Sequence, residues 1–138
     1  MPLPNMADRR AYHFDVELEL RDYDATAASA TASETGKAFE VRAIDTAKVV
    51  VHHAAIGGTV DESNYWSVGI EVSDLVGGTY TEIANSGPLP ATAGQVEVPI
   101  SGQQASVLDS DSAFIRVTAT KTGTTAGNLT YGAYITPC

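Results

Sequence analysis

Between Tyr65 and Thr136 apolar and polar residues alternate in short runs, and this period of two limits the fold more than any other feature of the chain. Trp66, Val68, Ile70 and Val72 share one parity; Ser67, Gly69, Glu71 and Ser73 share the other. Val96, Val98 and Ile100 repeat the pattern, as do Ile115, Val117 and Ala119, and then Leu129, Tyr131, Ala133 and Ile135. Successive side chains of an extended strand point to opposite faces, so each run buries one face and wets the other. Apolar faces of this kind need a second layer to cover them, and no helix-length apolar stripe is available. The expected answer is an all-β, two-sheet antiparallel sandwich.

The same pattern extends upstream. His13 to Leu20 sets Phe14, Val16, Leu18 and Leu20 against Asp15, Glu17 and Glu19 on the opposite face. Ala25 to Ser33 consists of small residues with Ser and Thr interleaved, which together with Gly36 reads as a loop or an edge strand. Phe39 to Ala43 and Lys48 to His53 are two further strands, and Val49, Val50 and Val51 in succession predict a central strand buried on both faces. Gly57-Gly58 and Gly77-Gly78 are turns, the second leading into a strand from Thr79 to Ala84. Gly87, Pro88 and Pro90 form a loop, and Pro99 assigns its strand to an edge or a bulge. Phe114 to Thr120 and Asn128 to Thr136 read as a hairpin across Gly123 to Gly127. The count of about eight strands predicts a jelly-roll-like Greek-key sandwich. With 138 residues, 43% of them hydrophobic, the chain fits one domain over residues 13–138, preceded by an extended arm over 1–12. The arm contains Pro2 and Pro4 and shows no periodicity. It reads either as a loose terminus or as a segment that orders against a neighbouring subunit or partner.

The net charge is -9 and unevenly placed: no Lys or Arg occurs from Ala54 to Ile115. That stretch carries Asp61, Glu62, Glu71, Asp74, Glu82, Glu97, Asp109 and Asp111. Phosphate backbones are held by basic side chains, so nucleic acid is not an expected partner. The acidity fits either solubility or a docking face for a basic partner. No run is long enough to cross a bilayer, and residues 1–12 lack the apolar stretch of a secretory signal. The expected location is therefore the cytoplasm where the chain is made, or an assembly formed there. Cys138 is the only cysteine, which rules out an internal disulfide and a thiolate cluster.

The residues that carry chemistry do not form a familiar constellation. His52 and His53 are neighbours on a strand and face opposite sides, leaving only His13 as a third imidazole. Asp15, Glu17 and Glu19 line one face about 7 Å apart, a workable carboxylate spacing, but read as a solvated face or an interface. Asp109-Ser110-Asp111 and Asp61-Glu62 offer oxygen ligands in turns without the spacing of a calcium loop. There is neither a nucleophile elbow nor a phosphate loop. Asn128-Leu129-Thr130 matches a glycosylation sequon but reads as polar surface in the absence of a secretory signal. No catalytic residue, metal or cofactor is expected, and the chain is read as a non-enzyme.

Five stretches carry a family resemblance: DVELELRDYDATAASATAS (15–33), YWSVGIEVSD (65–74), GGTYTEI (77–83), SGPLPATAGQVEVPI (86–100) and AFIRVTATKTGTTAGNLTYGAYI (113–135). In this order they resemble the small jelly-roll cement, or decoration, proteins that coat the icosahedral heads of tailed bacteriophages. The resemblance implies a structural virion protein, made in the host cytoplasm and carried on the outer capsid surface. It would clamp neighbouring subunits of the major capsid protein as a small homo-oligomer, a dimer in preference to a trimer, with no membrane partner. The residues expected to meet the capsid or a neighbouring subunit are Pro2, Leu3, Pro4, Asp8, Arg9, Arg10 and Tyr12 in the arm. The segment Trp66 to Tyr80 followed by Phe114-Ile115-Arg116 is also similar to galactose-binding-like modules. The alternative is therefore a carbohydrate- or receptor-binding sandwich, with Tyr65, Tyr80 and Tyr134 as its aromatic platform.

Overall fold

Alternating side chains along short strands fold here into two facing antiparallel sheets, in a computed structural model that describes residues 19–38, 47–100 and 114–137. The strands are β1 (Glu19–Arg21), β2 (Ala32–Ser33), β3 (Lys37–Ala38), β4 (Ala47–His53), β5 (Tyr65–Ser73), β6 (Thr81–Asn85), β7 (Gly94–Ile100), β8 (Phe114–Thr122) and β9 (Tyr131–Pro137). One sheet has the order β1-β9-β4-β7. The other runs β2-β8-β5-β6, and β3 pairs farther along the edge of β8 that β2 occupies. Each sheet is thus four strand positions wide, and no helix occurs among the described residues.

The pairings are nested. β1 pairs with β9, β2 and β3 with β8, β4 with β7, and β5 with β6, all antiparallel. Successive pairs fall in alternate sheets and are joined sideways by β4·β9 and β5·β8. A long antiparallel ribbon wrapped over itself in this way is a jelly roll.

The core consists of the rows that the alternation predicts. Trp66, Val68, Ile70 and Val72 of β5, with Ile115 and Val117 of β8, are fully buried. They face Val49 and Val51 of β4 and Tyr131, Ala133 and Ile135 of β9, with Leu20, Val98 and Ile100 from the flanking strands. Burying one such aliphatic side chain contributes about 1.5–3 kcal/mol, so the facing rows carry most of the favourable free energy. Val49, Val50 and Val51 are all buried on a strand held between β9 and β7, as predicted for a central strand. Pro99 lies on β7, an edge of its sheet, where a missing donor is tolerated. β2 confirms the edge reading of Ala25 to Ser33 at its last two residues.

The predicted hairpin between Phe114–Thr120 and Asn128–Thr136 is corrected, because β8 and β9 lie in different sheets. Each strand finds a longer ladder elsewhere. β8 matches the whole of β5, from Tyr65↔Thr122 to Ser73↔Phe114, and β9 matches β4 from Ala47↔Pro137 to His53↔Tyr131. The connection 123–130 crosses between the layers and is fastened to the β4–β5 connection. The Gly127 amide donates to the Gly57 carbonyl at 2.8 Å, and the Thr59 amide donates to Thr125 at 2.9 Å. The local hairpin is β5–β6, which turns through Gly77 and Gly78. The strand predicted over Phe39 to Ala43, and His13 to Leu18 of the first strand, lie outside the described residues.

Candidate functional site

The arm residues expected to meet a partner, Pro2, Leu3, Pro4, Asp8, Arg9, Arg10 and Tyr12, lie outside the described residues. So do His13, Asp15, Glu17, Asp109 and Asp111. The surfaces that remain are the outer faces of the two sheets and the loops at their ends.

On the outer face of the β1-β9-β4-β7 sheet, alternation turns His52 of β4 and Tyr134 of β9 away from the core. Tyr23, just beyond β1, lies over the same patch. Its ring is stacked on His52 with centroids 5.2 Å apart and planes at 12°, and Tyr134 is tilted against His52 at 6.1 Å. Gly132, directly opposite His52 on β9, makes this stack possible: a Cβ there would come within 2.7 Å of the imidazole. Burial lowers the pKa of His52 below its ordinary value, and the nearby Glu19 carboxylate pulls it the other way. The result is a patch of ring surface in which Tyr23 and His52 are near-parallel, with Tyr23 38% exposed. Ring faces of this kind stack on planar groups or on the apolar faces of sugars.

The platform predicted from Tyr65, Tyr80 and Tyr134 does not assemble. Tyr65 is on β5 of one sheet and Tyr134 on β9 of the other. Tyr80 is covered by the Arg116 guanidinium, 3.9 Å from its ring centroid. Parity alone places Tyr134 and His52 on an outer face. Their meeting depends on β4 and β9 being neighbours, which local sequence does not reveal.

The outer face of the second sheet carries a paired polar row. Arg116 Nε donates to Glu71 Oε1 at 2.7 Å, and Thr118 Oγ1 donates to the same oxygen at 2.9 Å. Glu71 and Arg116 sit directly opposite each other on β5 and β8, so cross-strand register forms the ion pair. Burial raises the pKa of the Tyr80 hydroxyl, leaving it a hydrogen-bond donor near neutral pH. On the other sheet, Lys48 pairs with Glu97 at 3.1 Å. Both carboxylates are held in cross-strand ion pairs.

At the sandwich end, Asp61 accepts from the Ser63 amide at 2.9 Å and from the Asn64 side chain at 3.0 Å. These bonds hold its carboxyl below the usual carboxylate range and close a turn. Among the described residues, no three His, Cys, Asp or Glu side chains converge as metal ligands.

Sequence reasoning did not anticipate the interior polar group. Arg21 is buried at a register shift in β1 and faces inward opposite Ala133. Its guanidinium donates to the carbonyls of Tyr131 and Thr26, pairs with Glu34 at 3.2 Å and covers the Tyr131 ring at 4.2 Å. This group fastens the residues after β1 to β9 and is closed to solvent. Comparison with protein-family models and with curated proteins finds no match to this chain.

Proposed function

We propose that this protein is a structural component of a tailed-phage virion. In this reading it sits on the outer surface of the icosahedral capsid and cements neighbouring subunits of the major capsid protein. It acts as a small homo-oligomer, a dimer in preference to a trimer, and without catalysis. The observation that carries the reading is the jelly-roll wrap itself, with a cross-strand ion pair on the outer face of each sheet, Glu71–Arg116 and Lys48–Glu97. Its exposed large apolar groups among the described residues are Tyr23, Leu75 and Val76. A rigid scaffold with small adhesive points suits a clamp, because one weak contact repeated over many copies becomes firm attachment.

The test is co-sedimentation of the full chain with empty heads assembled from a tailed-phage major capsid protein encoded in the same genome. Saturable retention supports the reading, and its absence ends it. The same assay on a chain lacking residues 1–12 is expected to show weakened retention. Undiminished binding would remove the arm from the contact.

A carbohydrate- or receptor-binding module is the second reading, and the Tyr23–His52 stack favours it specifically. Glycan-array binding that disappears in Tyr23→Ala would select it over the capsid reading.

A further inference from the structure

The turn between β5 and β6 presents two aliphatic side chains to water on a fixed support. Leu75 is 63% exposed and Val76 49%, the most exposed large apolar residues among those described. Single exposed aliphatics are common on protein surfaces and mean little by themselves. Here both neighbours in a tight turn are exposed, and the turn is held from several sides. Ser73, itself fully buried, donates its hydroxyl to the Leu75 carbonyl at 2.8 Å and accepts from the Leu75 amide at 3.2 Å. The Gly78 amide donates to the same carbonyl at 3.0 Å. Tyr80 donates its hydroxyl to the Val76 carbonyl at 2.9 Å.

Tyr80 is itself fixed. Its ring lies beneath the Arg116 guanidinium, which Glu71 holds, and its hydroxyl end occupies the space a side chain at Gly36 would fill. A chain of contacts therefore runs from the sheet face to the turn and holds Leu75 and Val76 outward. None of these contacts places the two side chains in the core. An apolar pair already ordered in the free protein loses little conformational freedom when a partner covers it.

The surroundings indicate the kind of partner. Asp74 precedes the pair and is exposed, and no Lys or Arg occurs from Ala54 to Ile115. Arg116, the cation of this network, is already paired with Glu71. The tip is thus an apolar centre beside negative charge, which disfavours an anionic lipid surface and suits an apolar socket rimmed by basic side chains.

We infer that the Leu75–Val76 turn is a capsid contact of this protein, inserting into an apolar socket with a basic rim on the major capsid protein. The inference rests on the cement reading and adds a second contact beside the arm.

The test uses the full chain in the head co-sedimentation assay, with Leu75→Asp/Val76→Asp compared against Leu75→Met/Val76→Ile. Thermal melting and sedimentation velocity are run on all three proteins. The aspartate pair is expected to weaken retention at least tenfold with melting temperature and oligomeric state unchanged, while the apolar pair binds as wild type. If the aspartate pair destabilises the fold, Leu75→Ser/Val76→Ser is read in its place with the same expectation. Equal binding by a folded polar variant overturns the inference and leaves the cement reading standing. Failure of the wild type to bind heads overturns both. A polar variant that binds heads normally but loses self-association assigns the turn to a second copy of this chain and likewise overturns the capsid contact.

Discussion

His52 and His53 are chemically identical neighbours with opposite surroundings, and strand geometry alone separates them. His53 points inward, is 3% exposed and donates from Nδ1 to the Ala54 carbonyl at 2.8 Å. His52 points outward over Gly132, with Tyr23 stacked on its ring and Tyr134 tilted against it. Burial against this stack lowers the folded-state pKa of His52 below its ordinary 6.5. The unfolded chain therefore takes up the proton first as pH falls. The stability that comes from keeping the ring neutral is complete above 6.5 and is lost as pH drops from there through the folded value. Following the His52 ring protons by NMR is expected to give a midpoint below 6.5 in the wild type. Tyr23→Ala, which uncovers one ring face, is expected to move the midpoint upward. A wild-type midpoint above the ordinary value would mean that Glu19 outweighs burial.

At the scale of the element, β5 was the most legible part of the chain. Its inward row was readable because four apolar residues of one parity have no other means of burial. How its first turn is anchored was not readable. Trp66 Nε1 donates to the Gly127 carbonyl at 2.7 Å, and Asn64 Oδ1 accepts from the amides of Thr124 at 3.0 Å and Thr125 at 3.3 Å. Two connections distant in sequence are thereby tied at one end of the sandwich. Trp66→Phe retains an aromatic ring but removes the donor and some volume. It is expected to cost about 1–3 kcal/mol, by leaving a carbonyl unpaired and a small void. The urea unfolding midpoint measures this at unchanged slope. A loss below about 0.5 kcal/mol would show that water satisfies Gly127 equally well and that the tie is incidental.

For the molecule as a whole, the nested pairing makes the sandwich depend on its last strand. β9 is flanked by β1 and β4, supplies Tyr131, Ala133 and Ile135 to the core, and provides the carbonyl and ring that receive Arg21. Removing residues 131–138 exposes an edge of β4, deprives Arg21 of the Tyr131 carbonyl and opens one layer of the core. Such a protein is expected to show no cooperative thermal transition by circular dichroism. A cooperative melt within a few degrees of wild type would contradict the central place of β9. The long separations between paired strands also account for what local reading missed. Turn residues such as Gly123 and Gly127 mark a reversal of the chain without saying whether the next strand pairs with the last or crosses to the facing sheet.

The alternation along β5, β7, β8 and β9 determined from sequence alone which of their side chains are core, that the architecture is a two-sheet sandwich, and that Pro99 needs an edge or a bulge. These follow from a period of two and from the donor that proline lacks, both properties of adjacent residues. Tertiary structure decided which strands are neighbours. It alone paired β8 with β5 and β9 with β4, and brought Tyr23 onto His52. It also buried Arg21 at a register shift and fixed Leu75 and Val76 outward. The physical reason is that burial is a one-body preference written into each residue, whereas strand adjacency minimises free energy over the whole chain at once.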